Sequence, residues 1–126
     1  MADRPALSKG EMAVARVLWE LGSATVREVH EAFAADRQID FTTVQTYLRR
    51  LEAKGYVRAK SQRRTKVYSP KVKPQTVIRE TIDDLIDRLF NGEALSLMRH
   101  LIEQRGIGDD QLAELRALID RLEREK

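Results

Sequence analysis

Polar residues with the spacing of one helix face lie in the middle of this 126-residue chain, within the stretch FTTVQTYLRRLEAKG. Four apolar residues recur there at the spacing of a helix with one buried face: Val44, Tyr47, Leu48 and Leu51. The other face carries hydrogen-bonding side chains: Thr42, Gln45, Thr46 and Arg49. In the major groove of double-stranded DNA, an Arg side chain pairs with guanine, a Gln side chain pairs with adenine, and a Thr methyl group packs on the thymine methyl. We therefore predict a recognition helix at about 42–54 with Asp40 or Thr42 as N-cap, the alternative being a merely capped and solvated helix face.

A strongly basic segment follows and overlaps this helix. Residues 49–73 contain ten Lys or Arg and a single acid, Glu52. Residues 1–74 hold 15 basic and 8 acidic residues, a net charge of +7, whereas residues 75–126 hold 8 and 12, a net charge of −4. Because residues that pack, such as Leu51 and Tyr68, are interleaved with the charges, the segment is predicted to be ordered and to face a polyanion.

The apolar periodicity changes from 3.6 to 2 after Gly55, which predicts a β-hairpin with the basic tip QRRTK. The tip lacks the Asn-Gly or Asp-Gly signal of a two-residue turn. Arg63, Arg64 and Lys66 are expected to contact phosphates or an adjacent minor groove. Weaker candidates for the same role are Arg50, Lys54, Arg58 and Lys60.

Two capping-box patterns, Ser8 with Glu11 and Thr25 with Glu28, predict the starts of two helices that precede the recognition helix. Three helices followed by a hairpin indicate a winged helix-turn-helix. The predicted fold class is therefore mainly α with a small β-hairpin wing, followed by a C-terminal helical dimerisation domain.

The segment SPKVKP is predicted to be a linker between a DNA-binding domain, 1–73, and a dimerisation domain, 74–126. Three short amphipathic helices are predicted in the second domain, and they have little room for a core of their own. Their apolar faces are expected to meet those of a second copy of the chain. The residues predicted to form this dimer surface are Ile82, Leu85, Leu89, Leu97, Leu101, Leu115, Leu118 and Leu122.

The residues for enzymatic or metal chemistry are few. The chain has no cysteine, and His30 and His100 lack the ligand spacing of a zinc site. No glycine-rich phosphate loop is present. We predict no catalytic activity, no metal and no cofactor. No apolar run approaches the ~20 residues of a membrane span, and the N-terminal residues do not resemble a secretory signal, so a cytoplasmic location is expected.

Several stretches together carry a family likeness: LSKGEMAVARVLWELG, TVREVHEAF, TTVQTYLRRLEAKGYV, VYSP and LFNGEALSLM. In this order they resemble the penicillinase repressor (BlaI/MecI/CopY) family of bacterial transcription repressors. The resemblance implies a homodimer that represses transcription by occupying double-stranded, pseudo-palindromic operator DNA. On the family pattern the base-facing residues are Thr42, Thr43, Thr46 and Arg49.

The chain departs from this family in two ways. Copper-responsive relatives bind metal through C-terminal cysteines, which are absent here. Antibiotic-resistance relatives are cut by a membrane sensor metalloprotease at an Asn-Phe bond, and the matching dipeptide here is His100-Leu101. Two other hypotheses stay open: a winged-helix module that binds an acidic protein, and a repressor whose dimerisation domain binds a small effector.

Overall fold

A computed structural model describes residues 4–33 and 38–126. Six helices and one antiparallel hairpin occur in these residues, which confirms the mainly α fold with a small β wing. In chain order the elements are α1 (Lys9–Leu21), α2 (Val26–Ala32), α3 (Phe41–Ala53), β1 (Val57–Gln62), β2 (Thr65–Pro70), α4 (Pro74–Phe90), α5 (Ala94–Gln104) and α6 (Asp109–Arg124).

Both predicted capping boxes are confirmed. The Ser8 hydroxyl accepts from the Glu11 backbone N–H at 3.1 Å, and the Glu11 carboxylate accepts from the Ser8 N–H at 2.8 Å. Thr25 and Glu28 form the same pair of hydrogen bonds. The Thr25 hydroxyl accepts from the Glu28 N–H at 3.2 Å, and the Glu28 carboxylate accepts from the Thr25 N–H at 2.9 Å. Each box satisfies two backbone donors that a helix start otherwise leaves without a partner.

The predicted recognition helix is α3. Its residues Val44, Leu48 and Leu51 are completely buried, as the spacing predicted. Asp40 occupies the N-cap position, so the alternative of Thr42 as N-cap is wrong, because Thr42 already lies inside the first helical turn. The side chain of Asp40 makes no cap hydrogen bond to any described residue.

The hairpin is fastened to the connection between α1 and α2. Its strands pair from Val57 with Pro70 to Gln62 with Thr65. Tyr68 of β2 is only 1% exposed, and its backbone exchanges two hydrogen bonds with Ala24 at 2.8 and 2.9 Å. The wing thus shares the core of the three helices. The buried apolar residues of this core are Val14, Ala15, Leu18, Ala24, Val29, Val44, Leu48, Leu51, Tyr56, Val57, Tyr68 and Val77.

The chain divides into two compact units, one ending at Thr81 and the other covering Ile82–Lys126. The predicted domain boundary at 73/74 lies two helical turns before the end of the first unit at Thr81. Pro74 begins α4 and does not end the first unit, because Val77 is 2% exposed within the first core. In the same turns, Glu80 forms an ion pair with Arg4 at 2.7 Å. The assignment of DNA binding and dimerisation to the two parts stays a prediction.

The second unit leaves many apolar side chains exposed. No residue of α5 or α6, all of which are described, is buried. Of the predicted dimer surface, Leu97 and Leu115 are half-buried. The other six are exposed: Ile82, Leu85, Leu89, Leu101, Leu118 and Leu122. Within the described residues, no helix combines the length and apolarity needed to cross a membrane.

Candidate nucleic-acid interface

A groove of about 600 Å³ lies between the start of α2, one face of α3 and the wing. The residues that line it are Thr25, Val26, Arg27, Phe41, Gln45, Arg49, Arg64, Thr65, Lys66 and Tyr68. Four of them are cations, and none of the described residues that line the groove is acidic. The fold therefore brings Gln45 and Arg49 of α3 together with Arg64 and Lys66 of the wing.

Arg27 is a groove residue that sequence reasoning missed. It is exposed in the first turn of α2, beside the N-cap Thr25. The sequence feature that could have identified Arg27 is a basic residue at the start of the helix that precedes the recognition helix. Positive charge at this position extends the basic surface from the wing to α2.

The threonines of α3 differ in what they can offer a ligand. Thr42 is exposed, whereas Thr43 and Thr46 are half-buried. The Thr46 hydroxyl donates to the Thr42 carbonyl at 3.0 Å. Its proton is therefore already in use, so Thr46 has only a methyl group and an acceptor lone pair for a base edge.

Arg50 is directed differently from Arg49. Its guanidinium carbon lies 5.8 Å from the centre of the Tyr47 ring, a cation–π distance. Tyr47 in turn packs against Gly10 of α1, where an added Cβ would lie 2.5 Å from the ring carbon Cζ. Gly10 is thus required for the close contact of α1 with α3. Arg50 is not among the described residues that line the groove.

Lys54, a weaker candidate for DNA contact, has an internal role. Its ammonium donates to the Glu11 carboxylate at 2.6 Å and to the Ala6 carbonyl at 2.9 Å. Glu11 is 1% exposed. Burial alone raises the pKa of Glu11, but hydrogen bonds from Lys54 and Ser8, together with the Lys54 charge, outweigh burial and lower this pKa. The pair joins α1 to the C-terminal end of α3.

The turn of the wing has an unusual conformation for its residues. Arg63 and Arg64 have φ angles of +48° and +73°, so both lie in the left-handed region. Two-residue hairpins favour this geometry because it matches strand twist, but it is usually supplied by Asn-Gly. For a residue with a Cβ, the left-handed conformation costs about 1–2 kcal/mol. The wing therefore holds two adjacent arginines in a strained turn at its tip.

The double substitution Arg63→Asn, Arg64→Gly should stabilise the protein and weaken DNA binding. Relief of the strain should raise the free energy of unfolding by about 1 kcal/mol, while the loss of two cations should reduce affinity for every duplex. Urea unfolding and a salt series of duplex binding measure the two effects. Arg63→Lys, Arg64→Lys is the control, since it keeps both the charge and the strain. A less stable Asn-Gly variant would show that the turn is not strained.

In the described ranges, 4–33 and 38–126, no three His, Cys, Asp or Glu side chains converge to hold an ion. His30 is 2.8 Å from the Ile39 carbonyl, and the ring of His100 lies 6.2 Å from that of Phe90. Both histidines thus contact protein groups within their own units.

Three helices and an antiparallel hairpin around one core, with cations on α2, α3 and the wing, define a winged helix-turn-helix protein. A family model described as "Penicillinase repressor" matches residues 7–121. The chain belongs to the penicillinase repressor family of transcriptional repressors.

Two relatives are similar over nearly their whole length. The transcriptional regulator BlaI of Mycobacterium tuberculosis (strain CDC 1551 / Oshkosh) is 33% identical over 125 residues, which cover 98% of this chain and 89% of that protein. The penicillinase repressor of Bacillus licheniformis is 25% identical over 120 residues, covering 95% of this chain and 94% of the relative.

Two solved structures are similar to part of the chain. The DNA-binding domain of the repressor BlaI has a TM-score of 0.51 and 30% identity, covering 59% of this chain and 90% of that one. Monomeric BlaI of Bacillus licheniformis in complex with the blaP half-operator has a TM-score of 0.50 and 29% identity. The match covers 60% of this chain and 92% of that one.

Proposed function

We propose that this protein is a homodimeric, sequence-specific repressor that binds a pseudo-palindromic operator with α3 in the major groove and the wing on the DNA backbone. The observation that carries the proposal is the groove in which Gln45 and Arg49 of α3 lie beside Arg27, Arg64 and Lys66. A B-DNA major groove admits a helix, and the cations of α2 and the wing next to that helix suit the flanking phosphates. The half-operator complex of the Bacillus licheniformis relative supports operator DNA as the partner.

The proposed division of labour follows from side-chain chemistry. Residues on α3 read base edges: Thr42, Thr43, Gln45, Thr46 and Arg49. Exposed cations outside this face position the protein on phosphates, and they are Arg27, Arg50, Arg63, Arg64 and Lys66. Contacts to bases carry sequence information, whereas contacts to phosphates add affinity that falls with salt.

Dimerisation is proposed to occur through the exposed apolar side chains of α4, α5 and α6. Leu89 is 71% exposed and Leu122 is 51% exposed, and apolar surface of this extent is typical of a protein interface. A groove of about 570 Å³ between α5 and α6 is lined partly by Leu101, Leu115 and Leu118. These three belong to the predicted dimer surface, which supports a second copy of the chain as the occupant of this groove.

Release by a sensor protease at His100-Leu101 stays a prediction from the family likeness. Both residues are exposed, but their peptide bond lies in the middle of α5. Cleavage there requires local opening of the helix, because a protease binds its substrate in an extended form.

Arg49→Ala and Arg64→Ala should weaken DNA binding in different ways. With a duplex from the upstream region of the protein's own gene, Arg49→Ala should lose about 1–3 kcal/mol of discrimination at one base step. Arg64→Ala should weaken all duplexes alike and reduce the salt slope by about one phosphate contact. Fluorescence anisotropy with the operator, single-base variants and random duplex at several salt concentrations measures both quantities.

Arg16→Ala is the matched control, since Arg16 is an exposed arginine of α1 that is not among the described groove residues. Equal effects of the two groove substitutions would refute the division between base and phosphate contacts. A wild-type protein without preference for any duplex would refute the repressor itself and would favour a winged-helix module that binds protein.

A further inference from the structure

One side chain of α2 holds the segment that leads into α3. The Nε2 atom of His30 lies 2.8 Å from the Ile39 carbonyl oxygen. Because a carbonyl oxygen can only accept, Nε2 must carry the proton and donate it. The His30 ring also meets the Phe41 ring edge to face, with 5.9 Å between centroids and 73° between planes. His30 therefore contacts the chain on both sides of the N-cap Asp40.

Within the part of the chain that the structure describes, the start of α3 lacks the usual side-chain cap. An Asp at the N-cap normally accepts a backbone N–H of the first turn, but Asp40 makes no such bond to any described residue. α1 and α2 each have a complete capping box, so α3 differs from both. The start of α3 is thus restrained from outside, by the imidazole of the preceding helix.

We propose that His30 is a positioning residue for base reading, in that it fixes the first turn of α3 and hence the placement of Thr42, Thr43 and Gln45. The inference rests on the proposed function. His30 is half-buried and is not among the described residues that line the groove, so it acts through Ile39 and Phe41 and not by touching DNA. Phe41 itself lines the groove next to Gln45, which connects the restraint to the interface.

Three full-length variants separate the two contacts of His30. His30→Phe keeps a ring against Phe41 and loses the N–H donor, whereas His30→Leu loses both contacts. His30→Gln is the conservative variant, because its side-chain amide retains a donor. Affinity for the operator and for random duplex is measured by anisotropy, and amide hydrogen exchange of Val44 is measured without DNA. The Val44 N–H donates to the Asp40 carbonyl at 3.0 Å and therefore reports on the first turn.

His30→Phe and His30→Leu should lower the ratio of operator to random-duplex affinity roughly tenfold, which corresponds to about 1.4 kcal/mol. The salt dependence should stay unchanged, since no phosphate contact is lost. Exchange at Val44 should rise roughly fivefold or more, while the amide of Leu51 in the last turn exchanges as before. His30→Gln should restore at least part of both properties.

Unchanged exchange at Val44 in the Leu variant would overturn the positioning role, whatever the DNA result. A parallel loss for operator and random duplex, with faster exchange at Leu51 as well, would also overturn it, since His30 would then serve only general stability. If the wild-type protein does not prefer its operator, the proposed function fails and the link to base reading is overturned with it. The exchange data then still decide whether His30 holds the first turn.

Discussion

The double substitution Leu118→Glu, Leu122→Glu should convert the protein to a monomer and lower its affinity for a complete operator on the order of 100-fold or more. Both leucines are exposed on the apolar face of α6. Charges at these positions would have to lose their water in a second copy's interface, which is costly without a partner. A monomer also loses the high effective concentration that links the binding of two half-sites, an effect of about 10²–10⁴-fold.

Sedimentation velocity and binding to operators with one or two half-sites measure the two consequences. The matched control is Ala113→Glu, Ala117→Glu, which adds the same charges at exposed positions on the opposite face of α6. The control should remain a dimer. Affinity for a single half-site should be similar in all three proteins, because the first unit is untouched. If the variant with Leu118→Glu and Leu122→Glu remained a dimer, the dimer interface would not lie on this face of α6.

Lys54→Met should lower the free energy of unfolding by about 2–3 kcal/mol at neutral pH. The substitution leaves the Glu11 carboxylate, which is 1% exposed, without its cation. Loss of one partner costs about 3–5 kcal/mol in fully buried pairs. A smaller loss of unfolding free energy is expected here because the Lys54 side chain is 26% exposed.

The effect of Lys54→Met should depend on pH. The pKa of Glu11 is lowered from its ordinary 4.5 in the folded protein, so the stabilisation is present above 4.5 and is lost as pH falls through the folded value. The difference between wild type and variant should therefore shrink in acid. Urea unfolding at pH 7 and below pH 4 tests this, with Lys60→Met, at an exposed position of β1, as control. A loss independent of pH would mean that Lys54 stabilises the protein through packing and its hydrogen bond to the Ala6 carbonyl, and not through the Glu11 carboxylate.

Local patterns sufficed for much of the fold. A capping box involves residues three apart, so Ser8 with Glu11 and Thr25 with Glu28 could be recognised directly in the chain. The buried face of α3 follows from the helical repeat in the same way. The cations of the wing and of α3 were evident from composition, because a basic segment of 25 residues with one acid is rarely accidental in a folded chain.

Local patterns could not predict contacts between residues that are far apart in the chain. Lys54 and Glu11 are 43 positions apart, and nothing in the basic segment distinguished Lys54 from the cations that face solvent. No local pattern predicted the close contact between Gly10 and the Tyr47 ring. The prolines of SPKVKP predicted a linker, whereas the compact units divide after Thr81, because Val77 of α4 is buried in the first core.

The amino-acid sequence by itself determined the order of the helices, the position of the wing, the buried face of α3 and the unpaired apolar faces of α4 to α6. These depend on periodicity and on contacts within a few residues. Only the tertiary structure decided which polar side chains meet: Arg27 with Arg49 and Arg64 in one groove, Lys54 with Glu11, and His30 with the segment that begins α3. Such pairings depend on how the elements pack, because a side chain's partners are set by its neighbours in space.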